Sequence, residues 1–289
     1  MNGPHFRPAR ASDWPFVAEI TRNVWDRTDY LPYTWHQWLG HNSGYLMTAE
    51  LGGRPVGVLH VELHGESIAW IEGIRVAEEV QGRGLAQAML QSAVEWAEGA
   101  GCRLARLSTS SGNPASNRMA EKVEMEVIAK FVPTRAAPSL ASAGVVAGVR
   151  PALASEAEIV GALLSRRSGG TDGALYTEGW TAYNLSTERL RVLCALHAVA
   201  VHDAGGEISG ACISTCAPPF QYLRTGAMAG SPGSVSTLAA YLRDRAAAGG
   251  LSHVRSTLAL DPEGTEAMRA AGFERPHDSL MLVYERKLG

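Results

Sequence analysis

The sequence predicts an α+β protein of two tandem domains, each a mixed, largely antiparallel sheet flanked by helices. Three observations lead there. The segment Phe6-Arg7-Pro8-Ala9-Arg10-Ala11-Ser12-Asp13 returns near mid-chain as Val149-Arg150-Pro151-Ala152-Leu153-Ala154-Ser155-Glu156, in both places a short strand entering a helix. The ends of the halves also match: residues 96–125 read helix end, glycine, strand, loop, helix, and residues 246–273 read the same way. Hairpins occur beside crossover helices, a mixture that builds a mixed sheet. A repeat of about 150 residues is too long for a solenoid unit and reads as a duplicated domain. The expected boundaries are a first, catalytic domain at 1–132, an Ala/Pro/Ser/Gly-rich linker at 133–148 and a degenerate second domain at 149–289.

Each element has its local reason. Ser12 and Ser155 are candidate N-caps, each followed by an acid in the first turn, Asp13 and Glu156. A first helix is expected over about residues 12–26 and a second over about 32–39, with Pro32 in its first turn. Residues 44–53 and 54–65 read as two strands around the turn Gly52-Gly53, a hairpin signal. Residues 68–76 form a third long strand. Residues 85–99 form an amphipathic helix with Leu85, Met89, Ala93 and Trp96 along one face. Residues 102–110 and 126–132 are further strands.

Composition narrows the class. Of 289 residues, 46% are hydrophobic and 19% charged, enough apolar surface for two cores and too much for a disordered chain. A net charge of −3 leaves no basic footprint for nucleic acid or an anionic membrane. No apolar run reaches the ~18–20 residues of a membrane span, and the opening residues are too polar for a signal peptide. Cys102, Cys194, Cys212 and Cys216 form no CxxC pair. A soluble, cytoplasmic protein is expected.

The informative stretch is Gly73 to Leu90, where a strand ends at Val76 and Gln81-Gly82-Arg83-Gly84-Leu85-Ala86 opens the amphipathic helix. Glycines let a backbone approach a ligand, and N–H groups at a helix N-terminus suit a pyrophosphate. No Gly-Lys-Ser/Thr follows, so this is not a P-loop, and the dinucleotide pattern GxGxxG also fails. What remains is Gln/Arg-x-x-Gly-x-Gly/Ala, here Gln81, Gly84 and Ala86, after a strand ending Arg75-Val76.

This loop, with the helices, hairpin and strands around it and Asn113-x-x-Ser at the last helix, resembles that of the GCN5-related N-acetyltransferases (GNAT). The resemblance implies acetyl-coenzyme A (acetyl-CoA) as cosubstrate and no metal. Backbone groups of Ile74 and Val76 would hold the pantetheine arm, Arg75 lies between them, and Gln81, Gly82, Arg83, Gly84, Leu85 and Ala86 would meet the pyrophosphate, with Asn113 a further contact. Two positions depart from the family. Its usual Gly-Phe after the last helix is Glu124-Met125, and the tyrosine five residues earlier, the usual proton donor, is Ala120.

Attack on a thioester needs a neutral amine, so a carboxylate base is required. Glu72, two residues before Ile74, is the first choice, against a structural role beside Arg75. His60, Glu62 and His64 alternate and share a strand face, able to line an acceptor pocket, hold a metal or simply meet solvent.

A narrower resemblance covers Asp29-Tyr30-Leu31-Pro32 with Trp35-His36-Gln37-Trp38-Leu39, then Glu72-Gly73-Ile74-Arg75-Val76, and in the second half Gly179-Trp180-Thr181-Ala182-Tyr183 and Ala217-Pro218-Pro219-Phe220. These look like segments of the histidine N-acetyltransferase group. The acceptor implied is a small primary amine, an amino acid foremost and histidine among them, with Asp29, Tyr33, His60, Glu62 and Trp180 as its candidate contacts. Tyr30, Tyr33, Tyr183 and Ser116 are candidate general acids. An aminoglycoside acceptor would draw on Asp26, Asp29, Glu62 and Glu66; a protein lysine, or an acyl-CoA sensor without turnover, are the other readings. In the second half the loop is Met228 to Val235, with Pro232 removing a donor, so that copy is expected not to bind the cosubstrate.

Overall fold

A computed structural model describes residues 3–24, 29–41, 43–140, 146–165, 173–216, 221–259 and 261–289. Asp26, the far end of the first expected helix and the segment 217–220 lie outside the described residues. The chain divides into two compact units: Met1–Ser108, Asn113–Val127 and Tyr284–Gly289 form one, and Thr109–Gly112 with Ile128–Val283 the other.

In the first unit β1 (His5–Pro8), β2 (Gly44–Leu51), β3 (Arg54–His64), β4 (Ile68–Val76) and β5 (Leu104–Ser110) lie in sheet order 1-2-3-4-5. The first three pairings are antiparallel; β4 and β5 are parallel. Helices α1 (Trp14–Thr21), α2 (Leu31–Gly40), α3 (Leu85–Gly99) and α4 (Pro114–Lys122) complete it. Val17, Leu31, Trp35, Trp38, Leu46 and Val58 pack α1 and α2 on the sheet. Gly52 and Gly53, both at positive φ, make the hairpin turn.

In the second unit the sheet order is β6 (Glu126–Ala136), β13 (Val254–Leu258), β12 (Leu223–Gly230), β11 (Ile208–Thr215), β10 (Val199–Asp203), β7 (Val149–Pro151). A separate hairpin joins β8 (Leu175–Glu178) and β9 (Thr181–Asn184). The helices are α5 (Ala157–Ser165), α6 (Thr187–Ala195), α7 (Pro232–Ala248) and α8 (Pro262–Ala270).

The repeated opening motif has one physical basis in both copies. Arg7 forks onto Asp13 and donates to the Pro8 carbonyl, with Glu50 as a further acceptor. Arg150 forks onto Glu156, donates to the Pro151 carbonyl and reaches Asp203. The acids, not the expected Ser12 and Ser155, close the turn: Asp13 and Glu156 accept the backbone N–H of Arg10 and Leu153. A carboxylate serves here because it can meet the arginine and the N–H together.

The last strands fall differently from the expected boundaries. Residues 133–136, read as linker, continue β6, which pairs with β13 from Val132↔Leu258 to Ala136↔Val254. The C-terminal residues instead belong to the first unit, where Arg106 on β5 is buried against Glu285 of β14 (Met281–Lys287), Nε to Oε2 2.8 Å. Tyr284 donates to Asn117 and Arg286 to the Val123 carbonyl in the same unit.

Candidate active site

Strand β4 is interrupted where its chemistry is concentrated. His60 lies opposite Glu72 and Val58 opposite Arg75, so Gly73 and Ile74 together face the single residue Leu59, a bulge. Gly73 has φ +67°, and a Cβ on it would stand 2.9 Å from ring carbons of Trp38. Trp38 therefore sits on the bulge and stacks on His60, centroids 4.2 Å apart at 12°. His60 Nδ1 is 3.1 Å from Glu72 Oε1.

Two expected site residues find each other. Arg75 donates from Nε and Nη2 to the two oxygens of Asp29 at 2.8 and 2.9 Å, and from Nη1 to the Ile74 carbonyl. Asp29 also accepts the Leu31 N–H, which begins α2. Its carboxylate is 1% exposed, so the expected acceptor contact is spent on Arg75. Tyr30 meets Trp38 edge-on and lies under the Arg75 guanidinium. Burial first, and then the charge of Glu72, push the Tyr30 phenol well up, so it keeps its proton at neutral pH. Tyr33, one turn on, is exposed.

The remaining acceptor candidates separate. His60, expected to line an acceptor pocket, is 3% exposed and meets Glu72 and Trp38. Glu62 and His64 form a neighbouring pair at 3.3 Å, whose bond holds the Glu62 carboxyl below its usual range, and His64 stacks on Trp70. Among the described residues no group of three or more His, Cys, Asp or Glu is placed to hold a metal ion.

Strands β4 and β5 pair only as far as Trp70↔Arg106 and then part, leaving a fork whose β4 arm carries Glu72 to Val76. The loop beyond closes on that arm: the Gln81 side-chain amide donates to the Val76 carbonyl at 3.0 Å. Gly82 and Gly84 both have positive φ, and a Cβ on either would meet no atom of the chain. Gly84 is the N-cap of α3 and supplies no side-chain acceptor, so the first-turn N–H groups are not capped by a side chain. Arg83 is exposed beside them, Leu85 is buried and Ala86 half-buried. Asn113 caps α4 by accepting the Ser116 N–H. These features fit a pyrophosphate and a thioester arm: a glycine cradle, uncapped donors, and a fork beside a carboxylate.

Residues 9–125 match the family model described as Acetyltransferase (GNAT) family. The first unit carries a GNAT acetyltransferase domain. Over 79 residues the chain is 30% identical to histidine N-acetyltransferase of Xenopus tropicalis, a match covering 27% of this chain and 24% of that relative. The chain thus spans about a quarter of the length of that curated relative. A GCN5-related N-acetyltransferase from Sphaerobacter thermophilus is similar in fold at TM-score 0.67 and 12% identity, over 98% of this chain and 95% of that one. A tandem GNAT protein from the clavulanic acid biosynthesis pathway gives TM-score 0.61 at 16% identity, over 99% of both chains. The tandem α+β fold is that of this family, with helices flanking each mixed sheet.

Against the GNAT pattern the two departures have distinct consequences. Ala120 is fully buried in α4, leaving no hydroxyl at the usual position of the acid. Glu124 takes φ +60°, a left-handed conformation that glycine adopts without strain, and Met125 is buried where the family usually has phenylalanine.

The second copy of the fold differs at both parts of the site. Its helix α7 is capped by Ser231, whose Oγ accepts the Ser234 N–H. Its fork, where β12 and β13 part after Thr225↔Ser256, is filled by the β8–β9 hairpin. Thr177 donates to the Thr257 carbonyl at 2.8 Å, and its own carbonyl takes the space a Cβ on Gly226 would need. Trp180 is exposed at the hairpin turn; Tyr183 stacks on Tyr176 beneath Arg189. Sequence reasoning missed Trp38 and Gly73 as site-forming residues. Their signal lay in the quoted WL and EGIRV segments, but only contact reveals the pairing.

Proposed function

We propose that the chain is an N-acetyltransferase that moves an acetyl group from acetyl-CoA to the primary amine of a small molecule, an amino acid foremost. The observation that carries the reading is the placement of Glu72 at the β4 bulge, on the same strand arm that runs into the uncapped N-terminus of α3. Acetyl-CoA supplies an activated acetyl thioester. Backbone groups at Ile74 and Val76 hold its arm; Gly82, Gly84, Leu85 and Ala86 present N–H groups to its pyrophosphate, where the helix dipole adds to the attraction. Gln81 fixes the loop to the strand, and Arg83 and Asn113 border it.

The chain's own residues then supply proton control and positioning. Glu72, with its side chain 17% exposed, takes the proton from the acceptor ammonium. Tyr30, edge-on to Trp38 and under the Arg75 guanidinium, is the proton donor assigned in this reading in place of the tyrosine missing at Ala120. The second copy binds no acetyl-CoA, because its helix start is self-capped and its fork is filled. No helix among the described residues is long and apolar enough to cross a membrane. The match to a histidine N-acetyltransferase supports an amino-acid acceptor over a polyamine or aminoglycoside.

The test is free-thiol release from acetyl-CoA across amino acids, polyamines and aminoglycosides. Release with an amino acid, lost in Glu72→Gln while acetyl-CoA still raises the melting temperature, supports the reading. Undiminished release in Glu72→Gln removes Glu72 as base; binding without release from any amine points to a sensor.

A further inference from the structure

A glutamate on a strand has three rotatable side-chain bonds, and a base must be held where the proton is taken. His60, directly opposite on β3, is within hydrogen-bond reach of the Glu72 carboxylate, with Nδ1 3.1 Å from Oε1. An ionised carboxylate only accepts, so Nδ1 carries the hydrogen. The ring is itself fixed. It is buried, stacked flat on Trp38, and Trp38 is seated on Gly73, where the absence of a Cβ leaves room for the indole. Tyr30 meets Trp38 edge-on, ring centroids 6.0 Å apart.

We propose that His60 is a positioning residue for Glu72, resting on the reading of Glu72 as the base. Its Nδ1–H ties down Oε1 and leaves Oε2 as the atom that accepts the acceptor's proton. That proton passes from the ammonium nitrogen to Oε2 and later to solvent; His60 keeps its own. Trp38 and Gly73 serve this arrangement by fixing the plane of the imidazole, which accounts for a histidine buried at this position of β3.

The test compares His60→Phe, which keeps a flat ring on Trp38 but has no donor, with His60→Asn, whose side-chain amide restores one. With the best amine of the thiol-release panel, His60→Phe is expected to lower kcat about ten-fold or more, part of the ~10²–10⁴-fold that a general base contributes. KM for acetyl-CoA stays within about two-fold, and His60→Asn recovers most of the loss. Independently of turnover, ¹⁵N NMR of the protein without acetyl-CoA should show a protonated Nδ1 on His60 whose resonance moves in Glu72→Ala. This measurement decides should His60→Phe fail to fold. Wild-type kcat in His60→Phe, or an unprotonated Nδ1, overturns the proposal. If Glu72→Gln retains activity, the base reading itself has failed; if Glu72→Gln is inactive while His60→Phe is not, only the positioning role has.

Discussion

Asp29 and Arg75 hold one another through two parallel hydrogen bonds at 2.8 and 2.9 Å, joining the start of α2 to the strand arm that carries the candidate base. The pair is almost wholly buried on the aspartate side. Removing one partner strands the other charge, and Asp29→Ala should destabilise the protein by about 3 kcal/mol. A double-mutant cycle with Arg75→Met, followed by urea unfolding, checks this: the double variant should recover part of the loss, because no lone charge remains.

Gly73→Ala should affect stability and catalysis together. The left-handed φ costs an alanine about 1–2 kcal/mol, and its Cβ pushes Trp38 off the bulge. A lower melting temperature with a lower kcat is expected. Unchanged activity would show that the Trp38 seat does not matter to the base.

Gly84→Ala tests the loop against its degenerate copy. Gly84, the N-cap of α3, has a positive φ, and alanine resists that conformation by about 1–2 kcal/mol. The rise in melting temperature caused by acetyl-CoA should shrink. Ser231→Gly, at the matching helix start of the second unit, should leave that rise intact.

Asp13 sets an acid limit on stability. Burial alone would raise its carboxyl, but the Arg7 guanidinium, the Arg10 N–H and the Thr48 hydroxyl outweigh it and hold the group below the usual carboxylate range. A depressed folded value means stability present above the unfolded pKa of about 3.9 and lost as the pH falls through the folded one. Asp13→Asn should therefore be less stable than wild type at pH 6. In acid titration the gap should narrow only below about pH 4.

Glu124→Gly should stabilise the first unit by up to about 1 kcal/mol, since glycine accepts φ +60° after a helix without the steric penalty. The exposed contact of Glu124 with Arg286, 3.3 Å, contributes little against this. Thermal melting of the single variant measures it.

Much of the fold was legible because its signals are local. The turn Gly52-Gly53, the strand 68–76 and the helix 85–99 follow from glycine placement and apolar period, and the structure has them at Gly44–His64, Ile68–Val76 and Leu85–Gly99. The site was legible in part. Glu72 and the loop from Gln81 to Ala86 stand on the fork as their order along the chain requires, while Asp29 and His60 were expected to meet an acceptor and instead meet Arg75 and Glu72. Each was a polar residue on the right element; which partner it would find depended on a bulge that shifts the register of β4 against β3.

The sequence by itself determined the duplicated plan, the element types and the family of the loop, because period, turn residues and helix starts act over a few residues. Tertiary structure decided the rest. Strand 126–136 reads the same whichever sheet it joins, and only pairing with β13 assigns its greater part to the second unit. The C-terminal residues Tyr284–Gly289 belong to the first unit, where Glu285 meets Arg106, 179 residues away in the chain. Contacts at such separations leave no periodic trace in the chain: burying a charge demands a partner, but only the folded sheet determines which one is within reach.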